Sequence, residues 1–389
     1  MKWKWAVVIA AMIFIGTHGA TLAAGPEEYI IEQQAERLHT EPVEQYWNEL
    51  MKQYKEAVPG SEPPTLMEMI VPGGEGFSLK QIFMLLLQLF FKEVLYNGKL
   101  MVSIIMITIF SVLLETLQSA FEKKAVSKVA YTVSYLVLMI IAVNSFSVAI
   151  GYAKDAISSM IHFMIAMVPL LMTLLASMGN IVTVSVLHPL IVFMIHAVGT
   201  LIYTVVFPLL FISAVLHIVS SMTERYKINQ LADLFRNIGI ALLGGMLTIF
   251  LGVISVQGAT GASTDGVTIR TAKYITGNFV PVVGRMFSDA SDTVIGASLL
   301  VKNSIGIVGV IIIIMLCAFP AIKILTLALI YNLSAAVLQP LGATPISECL
   351  KTIGKSMIYV FAALAAVGFM FFLAVTIMIA AGNLSVMMR

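Results

Sequence analysis

From residue 100 to the C-terminus, apolar residues run in blocks separated by short polar or basic breaks. Blocks of roughly 20 residues match a helix crossing a hydrocarbon core of about 30 Å. They fall at 100–121, 129–150, 157–178, 181–201, 202–221, 238–256, 305–330 and 357–381. The apolar stretch 181–221 is about twice the length one crossing needs, so a tight hairpin near Gly199 is expected to split it. Charge placement agrees. Lys123, Lys124 and Lys128 follow the first block, Arg225, Lys227 and Arg236 the fifth, and Lys351 and Lys355 the seventh. Cytoplasmic loops attract Lys and Arg, and the three groups share a side only if the hairpin counts as two spans. Both mature termini then lie outside. The expected fold is all-α: a polytopic membrane helical bundle of about eight transmembrane helices with interfacial or re-entrant helices added.

The segments before the first block behave differently. Residues 1–23 read as a signal peptide, with the basic start MKWK, a short apolar core and a small-residue end, cleaved after Ala23. Residues 24–76 form an acidic extracytoplasmic segment with eleven Glu against Arg37, Lys52 and Lys55. Two amphipathic helices are expected in it, near 27–38 and 43–57. The second carries Val43, Trp47, Leu50, Met51 and Tyr54 at helical spacing. It is either a packed cap or a solvated tail. Residues 77–98 carry Lys80, Gln81, Gln88, Lys92 and Glu93 among apolar residues, as an interfacial amphipathic helix would, and Gly98 allows a turn into the membrane. A six-span region at 99–256 and two C-terminal spans at 305–389 complete the division.

Between those regions, 257–304 is neither apolar enough to span simply nor polar enough to be a linker. Asp265 could cap a short helix bearing Arg270 and Lys273 on one face. Gly277, Pro281 and Gly284 then break the chain, and a second helix could carry Arg285, Asp289 and Asp292, with Lys302 beyond. Two broken helices at the outer face read as a conduit lining or docking surface. Read blandly, they are an interfacial loop whose charges pair locally.

Composition supports lipid as the solvent. Residues of the AVILMFWYC set make up 59% of the chain and charged residues only 11%, so a soluble domain of this size could not cover its apolar surface. The net charge of +2 hides an acidic N-terminal segment and a basic remainder. Lys and Arg scattered around apolar spans exclude a nucleic-acid footprint. Cys317 and Cys349 read as free thiols, one in an apolar run and one in a polar loop.

Intramembrane polar candidates are Glu115, His188, His196 and Lys323. His188 and His196, two turns apart, serve either a proton relay or neutral helix contacts. Glu115 and Lys323 either snorkel to a cytoplasmic interface or mark an ion path. No phosphate loop, metal-binding spacing or nucleophile elbow occurs, so no enzyme activity, cofactor or metal is expected. Ala241 with Gly245, and Ala362 with Ala366, offer small-residue packing seams.

The stretch DGVTIRTAKYITGNFVPVVGRMFSDASDTVIGASLLVKNSIG, 265–306, resembles the stage III sporulation protein AE family of endospore-forming bacteria, and the likeness extends over essentially the whole chain. The resemblance implies a protein of the mother-cell membrane around the forespore. It also implies work with the other stage III sporulation A-operon proteins, including a cytosolic ATPase and ring-forming proteins, and indirectly with forespore protein Q. A subunit of the mother cell–forespore channel is the function expected on that basis, in contact with lipid and compatible with a homo-oligomer. A small-solute permease and a non-transporting anchor for ring assembly are the alternatives.

Overall fold

Long stretches without Pro, in which Leu, Ile, Val, Met and Ala dominate, propagate helix with little to stop them. In the computed structural model, which describes residues 41–57, 79–120, 124–221, 228–279, 283–341 and 345–387, the described residues are almost wholly helical. The elements are α1 (Glu41–Ala57), α2 (Leu79–Tyr96), α3 (Gly98–Ala120), α4 (Lys124–Ser177), α5 (Ile181–Leu201), a π-helical turn (Ile202–Val206), α6 (Phe207–Ser220), α7 (Asn229–Phe279), α8 (Val283–Leu338), a short 3-10 turn (Gln339–Leu341) and α9 (Pro345–Met387). The signal peptide and the first acidic helix expected near 27–38 lie outside the described residues.

Five rods dominate: α4, the continuous α5–π–α6 rod, α7, α8 and α9. They are long and apolar enough to cross a membrane, and the α2–α3 pair, bent by 42°, would make a sixth crossing. The rods run up and down. Tyr135 near the start of α4 bonds Ser221 at the end of α6, Asp265 near the end of α7 reaches the start of α5, and Lys302 near the start of α8 reaches the end of α9. The end that holds the start of α4, the end of α6 and the start of α7 is the basal end; the opposite end is distal.

The expected eight spans are therefore replaced by fewer, longer helices. Two of the expected boundaries are absent for identifiable reasons. Gly199 is no hairpin: the helix runs straight through it. A Cβ there would stand 2.6 Å from Ile161 Cδ1, so this glycine serves close approach of α5 to α4. The 5-residue π turn that follows shifts the register without breaking the rod. Likewise the polar run Gly151–Ala156 lies inside α4, which has 54 residues. At 1.5 Å per residue the rods measure about 60–84 Å, far more than a hydrocarbon core of about 30 Å.

The boundary between α4 and α5, by contrast, falls where the apolar blocks meet. Gly179, at φ 84°, ends α4, with Gly179 N–H donating to Ala176 O at 2.9 Å and Asn180 N–H to Leu175 O at 3.0 Å. This paired bonding satisfies carbonyls that the helix end would otherwise leave open, and the left-handed residue in it favours glycine.

Of the acidic segment, α1 is a packed cap. Val43, Trp47, Leu50 and Met51 are all buried against the bundle, and Tyr46 meets Phe163 of α4 edge to face at 5.5 Å. Glu41, Glu44, Glu49 and Lys52 face outward. Burial, with Glu49 adding to it, holds the Tyr46 phenol above its ordinary range.

Candidate functional site at the distal end and waist

At the distal end, α5 starts with backbone N–H groups that no preceding turn can satisfy. Asn180 occupies the N-cap position but makes no side-chain cap. The cap comes from α7. Asp265, only 2% exposed, accepts from Val182 N–H at 3.0 Å and from Thr183 N–H at 2.8 Å, one bond to each carboxylate oxygen. These are the second and third residues of the helix, the amides an N-cap side chain ordinarily serves, and the positive end of the helix dipole favours the anion. Gly261, one turn earlier on α7, makes the approach feasible: a Cβ there would stand 3.0 Å from Thr183 Cα. Asp265 thus lies well inside α7 and caps another helix. It does not start a short helix bearing Arg270 and Lys273. Gly277 and Gly284 lie within helices, and Pro281 lies outside the described residues.

A second buried charge locks the neighbouring pair. Lys302 of α8 is fully buried, and its ammonium donates at 2.9 Å both to Ile379 O and to Asn383 Oδ1 of α9. Gly382 admits it, since a Cβ at that position would stand 2.3 Å from Lys302 Nζ. A cation deep in a helical bundle is costly unless bonded in this way.

A family model described as stage III sporulation protein AE matches residues 61–382. The chain is also 52% identical to the stage III sporulation protein AE of Bacillus subtilis (strain 168), over the full length of both. The chain belongs to the stage III sporulation protein AE family. This is a sporulation family, and the five apolar rods make this member a membrane protein. No solved structure matches it.

The remaining candidates from the sequence scatter. Arg270 is exposed on distal α7, five residues past the Asp265 clamp. Lys273, Arg285, Asp289, Asp292 and Glu115 lie on helices, but their side chains are outside the described set. His196 is exposed and His188 half-buried on α5, and neither joins Asp265 or Lys302 in a described hydrogen bond. Both cysteines are free, and Cys349 lies buried on α9 where a polar loop was expected. Lys323 lies 15 residues, about 22 Å, from the basal end of α8, with Nζ 5.1 Å from the centre of the Tyr152 ring.

Lys323 belongs to a polar waist in this family member. Lys92 and Glu93 of α2 and Tyr152, Asp155 and Ser159 of α4 share with it a cleft of about 600 Å³, closed on other sides by Leu50 of α1 and Leu316 and Phe319 of α8. Tyr203 of the π turn donates to Lys154 O at the same level. In the sequence, Lys323 stood out as an intramembrane charge and Lys92 and Glu93 as polar residues of an interfacial helix, but nothing there brought them together with Tyr152 and Asp155. Gly261 and Asn383 carried no local signal at all, because each matters through a partner about 80 residues away.

Proposed function

We propose that the chain is the membrane subunit of the mother cell–forespore channel, with its basal half in the mother-cell membrane and its distal half reaching into the intermembrane space. The observation that carries this reading is rod length. Helices of 51–56 residues extend about 45–55 Å beyond a single hydrocarbon core. The Lys and Arg of the basal connections, on one side for six crossings as for eight, favour a cytoplasmic basal end, where a partner ATPase and ring-forming proteins would meet it. The outward face of α4 supports the same placement. Its large exposed apolar residues, from Val129 to Val148, are all basal, while Asp155, His162, Thr173 and Ser177 are exposed further up.

Passage forms between copies or partners, on this reading, instead of through one protomer. Phe163, Met164, Met167, Met370 and Phe371 fill the bundle interior at the close packing typical of protein cores. That packing counts against a small-solute permease with a path inside the protomer. It leaves the anchor for ring assembly as the second reading, favoured by the two buried locks at the distal end.

Single cysteines in a background lacking Cys317 and Cys349 test the placement. In intact sporulating cells, positions 128, 225 and 351 should resist an impermeant thiol reagent, and positions 155, 264 and 270 should react. Labelling at 225 from outside overturns the orientation. Protection at 264 alongside labelling at 155 overturns the projecting distal half.

A further inference from the structure

We propose that the waist cleft is a headgroup site for a zwitterionic phospholipid. Three observations place a lipid there. First, α3 begins at Gly98, beside the cleft, and its 23 residues measure about 34 Å down to its basal end, close to one hydrocarbon thickness. With the basal half in the membrane, the placement proposed above on which this inference rests, the waist is the level at which outer-leaflet headgroups meet the protein. Second, the face of α3 that runs basally from the level of the cleft is apolar and open: Val102, Met106 and Phe110 are all exposed. An acyl chain leaving the cleft has a surface to follow, and tyrosines such as Tyr96 favour the interface. Third, the lining is balanced in charge and mostly apolar in outline.

That balance selects the headgroup. Two ammonium groups, Lys92 and Lys323, share the cleft with two carboxylates, Glu93 and Asp155. A phosphate alone would meet the carboxylates unfavourably, and a bare cation would meet the ammonium groups. A phosphoethanolamine headgroup carries both signs, so its phosphate sits with the lysines and its ammonium with the acids, beside the Tyr152 ring that already holds Lys323. Glu93 is oriented from its own helix end, since Asn97 Nδ2 donates to Glu93 Oε1 at 2.9 Å. Leu50 of α1 closes the cleft, so the acidic N-terminal segment is coupled to its occupancy.

The test uses the full chain, purified in detergent and stripped of lipid. It is titrated with dioctanoyl phosphatidylethanolamine, dioctanoyl phosphatidylglycerol and soluble phosphoethanolamine, with bound species counted by native mass spectrometry. One saturable phosphatidylethanolamine should bind at least about tenfold more tightly than phosphatidylglycerol. Lys323→Ala and Asp155→Asn should each weaken it by a similar factor, while Lys323→Arg retains most of it. Soluble phosphoethanolamine should compete only weakly. Equal affinity for the two lipids, binding unchanged in Lys323→Ala and Asp155→Asn, or competition by phosphoethanolamine at equal concentration would each overturn the proposal. The Lys323→Arg variant and a melting curve for every variant separate a lost site from a lost fold.

Discussion

The basal and distal halves of the bundle share their rods but solve different problems. Basally, the outward faces of α3, α4 and α7 carry Val102, Met106, Phe110, Leu136, Ile140 and Ile238, all exposed. Hydrogen bonds there are neutral: Tyr135 with Ser221, Ser213 with Ala232 O, Tyr331 with Ile141 O. Among the described residues, the basal ion pair is at the rim, where Asp233 meets Arg236 at 2.7 Å and lies 3.3 Å from His217. Distally, charge is buried. Asp265 and Lys302 each tie two rods together, while α7 turns Thr260, Thr264, Thr268 and Arg270 outward alongside exposed Val267 and Tyr274. One rod can therefore meet lipid along one stretch and water or protein along the next. What changes is the side chain at a given helical face, with no break in the backbone.

The largest expected effect follows from removing the distal clamp. Asp265→Ala strands two amides at the start of α5, that of Thr183 buried and that of Val182 partly so, and a lost bond to a charged partner costs about 1.5–3 kcal/mol. The two together should cost about 3–5 kcal/mol, read as a lower melting temperature in detergent and faster proteolysis around 178–185. Asp265→Asn keeps one acceptor oxygen and should lose about half as much. If Asp265→Ala melted like the parent, the clamp would contribute nothing and the contrast between the halves would collapse. Gly261→Leu comes next, because a side chain must displace the Thr183 backbone and cannot simply push aside a flexible tip. A loss of about 2–3 kcal/mol is expected, smaller when combined with Asp265→Ala, since the two residues act on one contact.

These contacts also mark what sequence could and could not disclose. The apolar blocks, the buried stripe of α1 and the start of α5 after Asn180 were legible, because local periodicity and turn chemistry decide them. The number of helices was not. Counting blocks of about 20 residues assumes that each helix ends where lipid ends, and α4 instead continues through Lys154 and Asp155 into a polar waist. Asp265 stood out as a helix cap. Its partner did not, because the helix that it caps begins 84 residues earlier, and no local rule names that partner. Lys302 was picked out as a charge beyond the second expected helix, and its partners stayed hidden for the same reason.

A smaller effect tests the continuous α5–π–α6 rod against a hairpin. Gly199→Ala places a Cβ against the mobile end of Ile161, at a cost that the better helix propensity of alanine, about 1 kcal/mol, nearly offsets. Stability should change by less than about 1 kcal/mol. With Ile161→Val, which removes the contacting Cδ1, the alanine should become stabilising relative to that variant by about 0.5–1 kcal/mol. A loss of several kcal/mol in both backgrounds would indicate a turn at this position and restore the split.

A comparably small change in stability is expected at Lys302, and it separates the two buried charges. Asp265 satisfies backbone amides that α5 has no other means to satisfy, so removing it leaves an unmet demand. Lys302 meets no comparable demand. Its partners are Ile379 O, a carbonyl inside α9, and Asn383 Oδ1, both close to the helix end. Against those bonds stands the cost of holding an ammonium out of water. Replacing a buried ion with an apolar side chain of similar volume is often neutral or stabilising. Lys302→Met preserves the volume beside Gly382 and should shift stability by less than about 1.5 kcal/mol. Gly382→Ala, tightly blocked by Lys302 Nζ in the parent, should become better tolerated in that variant, although Leu175 Cδ2 at 2.7 Å still resists it. Melting curves for the two single variants and the double variant measure this coupling. A Lys302→Met protein that folds normally yet fails to support spore formation would assign the ammonium a part in function. A protein that sporulates normally would reduce it to a tie between α8 and α9, leaving exposed Arg270 as the distal charge on which partner contact must be tested.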